Sequence, residues 1–176
     1  MPRQQFERQC RPIRYSLKTP PDPPFLPQRI VSGGQTGVDR AGLEAAIAYR
    51  IQHGGWCPKG RLSEDGSIPS RYELVEMETA EYPPRTEQNV IDSDATLILY
   101  EQAVKGGTQL THRLTRRWQK PCLCVQLEIA SPVEIRRWLD QVRPNTLNIA
   151  GPRESNYPGI GERALAFLLE AFAAKS

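Results

Sequence analysis

Apolar and polar side chains follow two different spacings along this chain, and the spacings alternate. Residues 95–100 form an apolar run with almost no polar interruption, which is typical of a parallel strand buried on both faces. Residues 38–53 instead repeat small and apolar side chains at i, i+3 and i+4, which predicts a helix. The same two patterns predict strands at 29–32, 56–57, 95–100, 123–127 and 146–150, and helices at 38–53, 86–92, around 110–118, from 132, and at 159–173.

This alternation of strands and helices predicts an α/β fold. We expect a doubly wound, mostly parallel sheet flanked by helices and connected by right-handed crossovers, that is, a Rossmann-like fold. Ligands of such sheets bind beyond the carboxyl ends of the strands. One long irregular segment, 58–84, interrupts the alternation, and loops of this length are usually functional or disordered. Its Lys59 and Arg61 are candidates for a lid over that edge.

The chain divides into two regions by composition. Residues 1–27 contain seven prolines and have no sustained apolar period, so we expect an arm that is flexible or packs on a neighbouring subunit. Residues 28–176 are predicted to form a single Rossmann-like ligand-binding domain. A chain of 176 residues fits one domain with a substantial core.

Composition narrows the possible functions. Hydrophobic residues make up 39% and charged residues 24%, which is ordinary for a soluble protein. No apolar run approaches the ~20 residues that span a bilayer, and no apolar signal core is found, so we expect a cytoplasmic protein without membrane contact. A net charge of +3 is too small to indicate nucleic acid. Cys122 and Cys124 alternate with apolar residues as in a buried strand, and without CxxC spacing no metal site is predicted.

Three glycine-bearing turns carry the candidate chemistry. The turns at 32–39, 105–108 and 151–155 each follow a predicted strand and enter a predicted helix. Free N–H groups and the helix dipole favour an anion at such a point. Because all three leave the carboxyl ends of parallel strands, we expect them at one sheet edge as a composite phosphate site. The candidate residues are Ser32, Gly33, Gly34, Gln35, Thr36, Gly37, Asp39, Lys105, Gly106, Gly107, Thr108, Gly151, Arg153 and Ser155.

The residue types in these turns favour binding over catalysis. Glycine amides would contact an oxyanion, Lys105 would act as a point charge, and Arg153 would bind bidentately. Asp39 either caps backbone amides or contacts a donor on the ligand. The turns match neither G-x-G-x-x-G nor the P-loop, and no G-x-S-x-G elbow or Ser/His/Asp arrangement is present. No catalytic residue is predicted.

A family resemblance rests on five spaced segments: RIVSGGQTGVDRA from residue 29, GWCPKGR from 55, RTEQNV from 85, GGT from 106 and AGPRES from 150. Together they resemble the molybdenum carrier (molybdenum cofactor carrier protein) family, which looks like a circularly permuted branch of the Rossmann-like superfamily that includes the lysine-decarboxylase-like (LOG) proteins. The resemblance covers residues 29–175 and leaves the arm outside.

The resemblance implies a homo-oligomer, a tetramer in particular, that binds molybdenum cofactor (molybdopterin), protects it and delivers it. This phosphate-bearing ligand is a pterin dithiolene, and molybdoenzymes or cofactor-synthesis proteins are the implied partners. Its phosphate suits the glycine turns. Polar partners for the pterin would come from Gln35, Asp39, Asn89 and Glu101.

Two other functions stay open. LOG-type proteins are phosphoribohydrolases that cleave nucleoside monophosphates, and their signature P-G-G-x-G-T-x-x-E carries a glutamate that assists the reaction. Here Thr111 stands at the place of that glutamate, and a hydroxyl cannot stabilise an oxocarbenium ion as a carboxylate does. Binding without hydrolysis is therefore favoured, unless Glu101 or Glu154 substitutes. The third function is a sensor of a nucleotide-derived ligand.

Overall fold

Residues 23–173 are described by the computed structural model of this chain. Within them the strands are β1 (Arg29–Val31), β2 (Gln52–Gly54), β3 (Trp56–Cys57), β4 (Leu62–Ser63), β5 (Gly66–Ser67), β6 (Val75–Glu76), β7 (Ala95–Tyr100), β8 (Cys122–Gln126) and β9 (Thr146–Ala150). The helices are α1 (Val38–Ala48), α2 (Tyr82–Ile91), α3 (Gly106–Arg117), α4 (Pro132–Val142) and α5 (Ile160–Phe172). The predicted α/β fold is confirmed.

The central sheet has five parallel strands in the order β2-β1-β9-β7-β8. The last strand in sequence, β9, is inserted between β1 and β7, with Ile30 opposite Leu147 and Leu97 opposite Ile149. The three middle strands of the sheet are therefore the three that lead into glycine turns. This strand order, which the sequence left open, makes the turns spatial neighbours.

The main core lies on one face of this sheet. Helices α1, α4 and α5 pack there, and α2 pairs with α3 near β7. The buried side chains include Ile30, Leu97, Leu147, Ile149 and Phe172. Full burial of one such side chain stabilises the fold by about 1.5–3 kcal/mol, so the sheet and its helices form one rigid support for the turns.

The prediction of one helix over 38–53 was wrong only in its last five residues, 49–53. Helix α1 ends at Ala48, and Arg50 has a positive φ of 55° that turns the chain back. Residues 52–54 then form β2 at the sheet edge. Because Gln52 and His53 are polar and Gly54 has no side chain, this strand lacks the apolar pattern by which a strand is recognised in a sequence. The strand predicted at 56–57 exists as β3, but it pairs with β6 outside the central sheet.

The segment 58–84, which was predicted as irregular, has a defined structure that is held by hydrogen bonds among its own residues. It holds a short 3₁₀ turn, the antiparallel hairpin β4–β5 (the flap, residues 62–67) and β6. The Arg61 guanidinium donates hydrogen bonds to four carbonyl oxygens of the segment, those of Ile68, Pro69, Tyr72 and Leu74. Arg61 therefore organises the segment. Helix α2 begins at Tyr82, before the predicted start at 86, because prolines are tolerated in a first turn.

The predicted arm lies mostly outside the described residues, since only 23–27 of it belong to them. In that piece Phe25 packs at the margin of the core, and its N–H donates to Asp140 of α4 at 3.3 Å. The Arg143 guanidinium lies 4.5 Å from the Phe25 ring centroid. Residues 23–27 thus contact the domain. Among residues 23–173, no helix has the length and apolar character needed to cross a bilayer.

Gly37 couples the first and third turns. It has φ 78° and ψ −130°, and a Cβ there would overlap the carbonyl oxygen of Pro152, which accepts a hydrogen bond from Val38 N–H at 3.2 Å. We expect Gly37→Ala to lower the free energy of unfolding by at least about 1–3 kcal/mol in urea denaturation.

Gly107→Ala is the matched control for that variant. A Cβ on Gly107 meets nothing within 4 Å, and the residue is helical. Its free energy of unfolding should stay unchanged or rise by up to about 1 kcal/mol. Equal stability of the two variants would contradict this account of Gly37.

Candidate functional site

A cavity of about 510 Å³ opens at the carboxyl edge of the sheet, a size typical of small-molecule pockets. The three glycine turns contribute to it, together with the start of α2. The lining residues are Gln35, Asp39, Tyr82, Pro83, Arg85, Thr86, Ala103, Lys105, Gly106, Gly107, Thr108, Leu110, Thr111, Arg113, Ala150, Gly151, Pro152, Arg153, Asn156 and Tyr157. The turns therefore meet at one edge, as topology required.

Positive charge dominates the cavity wall. Four cationic side chains line it, from Arg85, Lys105, Arg113 and Arg153, against the single carboxylate of Asp39. Arg113 was missed by the sequence argument, although it lies on the same helical face as Gly106 and Leu110. Arg85 was visible only as part of the family resemblance. The balance of charge favours an anionic ligand.

The backbone amides of the first turn donate hydrogen bonds to side chains of the turn itself. Gly34 N–H donates to Ser32 Oγ at 3.2 Å, Gln35 N–H to Asp39 Oδ2 at 3.3 Å, and Thr36 N–H to Gln35 Oε1 at 3.0 Å. Ser32 Oγ–H donates in turn to the carbonyl oxygen of Asp39 at 2.9 Å. These groups hold the turn in shape from behind the cavity, so they are not free for a ligand.

The glycines of this turn are required by the packing of the chain itself. A Cβ on Gly33 would overlap the Arg85 guanidinium, and one on Gly34 would overlap Leu74. Gly33 makes room for Arg85, which then reaches Asp39 Oδ2 with Nη1 at 3.2 Å. The space that the sequence argument reserved for a ligand at these positions is filled by side chains.

The third turn is also closed by a carboxylate. The Glu154 side chain accepts hydrogen bonds from Gly159 N–H and Gly161 N–H, so it occupies the start of α5. A Cβ on Gly151 would overlap the carbonyl oxygen of Leu99. Of this turn, Gly151, Pro152 and Arg153 face the cavity.

The second turn differs because it is open. Helix α3 begins at Gly106, and among residues 23–173 no side chain caps it and no acidic residue lies in its first turn. A Cβ on Gly106 or Gly107 meets nothing within 4 Å. Lys105 and Thr108 complete the wall. Free N–H groups, the helix dipole and nearby cations make this the strongest anion subsite of the cavity.

The side chain of Gln35 has a donor without a hydrogen-bond partner within residues 23–173. Its side chain is 3% exposed, and Oε1 accepts from Thr36 N–H and from Glu64 N–H, both at 3.0 Å. Its Nε2 is buried and finds no partner within residues 23–173, although Gln35 lines the cavity. A buried unpaired amide costs about 1–3 kcal/mol. A ligand with an acceptor atom would recover that cost.

Asp39 supplies an acceptor next to Gln35. It is 4% exposed, and burial raises its pKa above the ordinary value against the opposing charge of Arg85 and the hydrogen bond from Gln35 N–H. The ring of Tyr82 keeps two guanidiniums near this point, with Arg153 at 4.7 Å and Arg85 at 5.8 Å from the ring centroid. Gln35, Asp39, Arg85 and Arg153 thus give the cavity wall a donor, an acceptor and two cations.

Several sequence candidates lie elsewhere. The predicted residues that line the cavity are Gln35, Asp39, Lys105, Gly106, Gly107, Thr108, Gly151 and Arg153. The others, which support it from behind, are Ser32, Gly33, Gly34, Thr36, Gly37 and Ser155. The Asn89 amide accepts a hydrogen bond from Trp56 N–H at 2.8 Å and donates one to the Trp56 carbonyl oxygen at 2.9 Å. Glu101 accepts a hydrogen bond from Arg163 at 2.6 Å. Neither Asn89 nor Glu101 lines the cavity. Lys59 and Arg61 do not line it either.

The flap is fastened to two of the turns. Glu64 accepts hydrogen bonds from Thr36 Oγ1–H, from Ser155 N–H at 3.1 Å and from Ser155 Oγ–H. Next to it, Asp65 forms a bidentate pair with Arg40 at 2.6 and 2.8 Å. Ser155 therefore serves as an anchor for the flap, in contrast to its predicted place in a phosphate site.

The parallel sheet flanked by helices, with an electropositive cavity at its carboxyl edge, defines a Rossmann-like fold. Residues 30–172 match the family model described as "Circularly permutated YpsA SLOG family", and the chain belongs to that family. It is also similar to a crystal structure titled "Putative molybdenum carrier protein" from Syntrophus aciditrophicus SB. The two share 45% identity and a TM-score of 0.81, over 86% of this chain and 97% of the other. No curated protein matches the chain.

The fastening of the flap should weaken in acid. Burial by itself raises the pKa of Glu64, but hydrogen bonds from Ser155 and Thr36 outweigh it, so the pKa lies below its ordinary 4.5. A carboxyl group with a depressed pKa stabilises the folded state above that ordinary value and loses this contribution as pH falls through the folded value. We expect faster hydrogen exchange at 62–67 below about pH 4.5, after correction for intrinsic rates.

Glu64→Gln tests the assignment at neutral pH. Its flap amides should already exchange faster at pH 7, and the additional change in acid should be smaller than in the wild-type protein. Glu128→Gln, an exposed position on another loop, serves as the matched control and should behave as wild type. Identical flap exchange in both variants would show that Glu64 does not hold the flap.

Proposed function

We propose that this protein is a carrier that binds molybdenum cofactor in the cavity and protects it without transforming it. The observation that carries the proposal is the open start of α3 in an electropositive cavity, whose wall also contains Gln35 with a side-chain donor that has no partner within residues 23–173. The structural neighbour's name, a molybdenum carrier, supports the choice of cargo.

The chemistry of the cavity suits the two ends of this cargo. The terminal phosphate would bind at the start of α3, where Lys105 and Arg153 supply positive charge. The pterin ring carries nitrogen and oxygen acceptors as well as N–H donors. Gln35 Nε2 would donate to the acceptors, and the Asp39 carboxylate would accept from the donors. The unused donor and the open helix start thus each have a complementary group on the same molecule.

Hydrolysis of a nucleoside monophosphate is the competing function, and the carboxylates argue against it. Thr111 Oγ1–H donates to the carbonyl oxygen of Gly107 at 3.0 Å and leaves no acid at that position. The two possible substitutes are engaged, since Glu154 caps α5 and Glu101 pairs with Arg163. Among residues 23–173, Asp39 is the one carboxylate on the cavity wall, and Arg85 holds it. These contacts support binding without turnover.

Loading experiments test the proposal directly. The protein would be incubated with molybdenum cofactor under anaerobic conditions and desalted, and the retained pterin and molybdenum measured by mass spectrometry and metal analysis. We expect both in stoichiometric amount. Loss of both, together with release of free base from a nucleoside monophosphate, would establish the hydrolase instead. Retention of an intact nucleotide in place of the cofactor would favour the sensor.

Two variants locate the cargo within the cavity. Gly107→Leu places a bulky side chain at the start of α3, where a Cβ meets nothing within 4 Å, so it should abolish retention while the fold persists. Arg153→Ala removes a charged hydrogen bond worth about 1.5–3 kcal/mol and should raise Kd roughly 10- to 100-fold. Arg137→Ala, an exposed change on α4, is the charge-matched control. Unchanged affinity in Gly107→Leu would place the cargo elsewhere.

The assembly and the destination of the cargo stay predictions. The family resemblance implies a homotetramer and a transfer of the cofactor to molybdoenzymes or cofactor-synthesis proteins. The cytoplasmic location is likewise an expectation from the sequence.

A further inference from the structure

One residue of the flap contacts two of the three turns. The Glu64 carboxylate accepts hydrogen bonds from Thr36 Oγ1–H in the first turn and from Ser155 N–H, at 3.1 Å, and Ser155 Oγ–H in the third turn. The backbone N–H of Glu64 donates to Gln35 Oε1 at 3.0 Å. We call these four hydrogen bonds the strap. The strap joins the first turn to the third through a hairpin that belongs to neither.

The strap reaches both walls of the cavity. Gln35 lines the cavity on the side of the first turn, and Ser155 lies in the chain between the lining residues Arg153 and Asn156 of the other wall. Glu64 itself is not among the lining residues. Glu64 therefore acts on a ligand only through the positions of the two walls.

The two turns also contact each other directly. Val38 N–H donates to the Pro152 carbonyl oxygen at 3.2 Å, and Glu154 N–H donates to Thr36 Oγ1 at 3.3 Å. The Thr36 hydroxyl thus accepts from the third turn while it donates to Glu64. Hydrogen bonds in such a chain polarise and strengthen one another. Loss of the Glu64 carboxylate therefore weakens the remaining link and also removes its own bonds.

The strap also sets the orientation of the Gln35 carboxamide. Oε1 of this side chain accepts from Thr36 N–H and from Glu64 N–H, both at 3.0 Å. A rotation that exchanged Oε1 and Nε2 would bring an amino group against two N–H donors, so the orientation is fixed. Nε2 is left as the end of the side chain without a partner within residues 23–173. The flap thus holds in place the donor that the proposed function assigns to the cargo.

A ligand held between the two walls would be coupled to the strap. A cargo that contacts Gln35 or Asp39 on one wall and Arg153 on the other needs both walls at one spacing, and the strap fixes that spacing. Such coupling is reciprocal, because the factor by which the strap raises ligand affinity is also the factor by which bound ligand stabilises the strap. Typical factors are about 5- to 150-fold. Flap residues 64–67 are exposed, so a change in their order occurs at the surface of the protein.

We propose that the flap responds to occupancy of the cavity. Glu64 is a positioning residue that holds the two walls at the spacing the ligand needs, and bound ligand in turn holds Glu64 on Thr36 and Ser155. The loaded protein therefore has an ordered flap, and the flap of the empty protein opens more often. This inference rests on the proposed function in one respect, namely that the cargo binds in the cavity.

Reciprocity gives the first test. The Kd of molybdenum cofactor, measured by anaerobic equilibrium dialysis, should rise about 5- to 150-fold in Glu64→Ala. Hydrogen exchange at 62–67 of the wild-type protein should slow by a similar factor on loading. Glu76→Ala is the matched control, because its carboxylate accepts from Gly60 N–H at 2.6 Å in the same segment, and its Kd should equal that of the wild type. An unchanged Kd in Glu64→Ala, or flap exchange that ignores loading, would overturn the proposal.

Ser155 provides a test by rescue. Ser155→Ala removes one donor of the strap and leaves the backbone N–H, so it should weaken cofactor binding less than Glu64→Ala does. Ser155→Thr keeps the hydroxyl and should bind as the wild type. Because both changes break the same contact, the double variant Glu64→Ala, Ser155→Ala should bind no more weakly than Glu64→Ala alone. Losses that add in the double variant would show that the two residues act independently.

A measurement without ligand separates this inference from the identity of the cargo. If the wild-type protein retains no cofactor, the proposed function fails, and hydrogen exchange of the empty protein then decides about the strap. Glu64→Ala should speed exchange at 33–37 and at 153–156 together, whereas Glu76→Ala should not, and urea denaturation should show that both variants are folded. Unchanged exchange at the two turns would refute the strap whatever the cavity binds.

Discussion

Insertion of β9 between β1 and β7 is the constraint on which the candidate site depends. Backbone hydrogen bonds on both edges of β9 place Leu147 next to Ile30 and Ile149 next to Leu97. Because the strands are parallel, the turns that follow them leave on the same side, at neighbouring positions. Segments that are more than a hundred residues apart in the chain thus become walls of one cavity. The pairing is rigid because the middle strands are buried on both faces by helices.

The three turns at this edge do different work. The first is closed on itself through Asp39, and the third is closed through Glu154, so each carboxylate satisfies donors of its own chain. Only the turn at 105–108 combines an uncapped helix start with space in front of its glycines, within the described part of the chain. Glycine therefore has two different structural roles in this fold. At Gly33 it makes room for an arginine, and at Gly107 it leaves the start of α3 open.

Polar side chains of the described residues differ in a similar way, because some have hydrogen-bond partners for their polar groups and Gln35 has a donor without one. Asn89, Glu101 and Arg61 all have matched partners, and each holds one segment against another. Gln35 is different, because half of its amide is used and the buried Nε2 is not. The cavity wall thus combines this donor with four cationic side chains and one carboxylate, Asp39, which is paired with Arg85.

The sequence by itself determined the α/β class, most element positions and the three turns, because alternation, apolar runs and glycine punctuation are local properties of the chain. It also indicated the sheet edge at which the cavity opens. It missed β2, whose polar residues become a strand only through pairing with β1, and it gave β3 to the wrong sheet. Tertiary structure alone decided which turn stays open and which side chains, such as Tyr82, Arg85 and Arg113, reach the cavity. The physical reason is that capping, burial and pairing depend on atoms far away in the sequence, which no local pattern records.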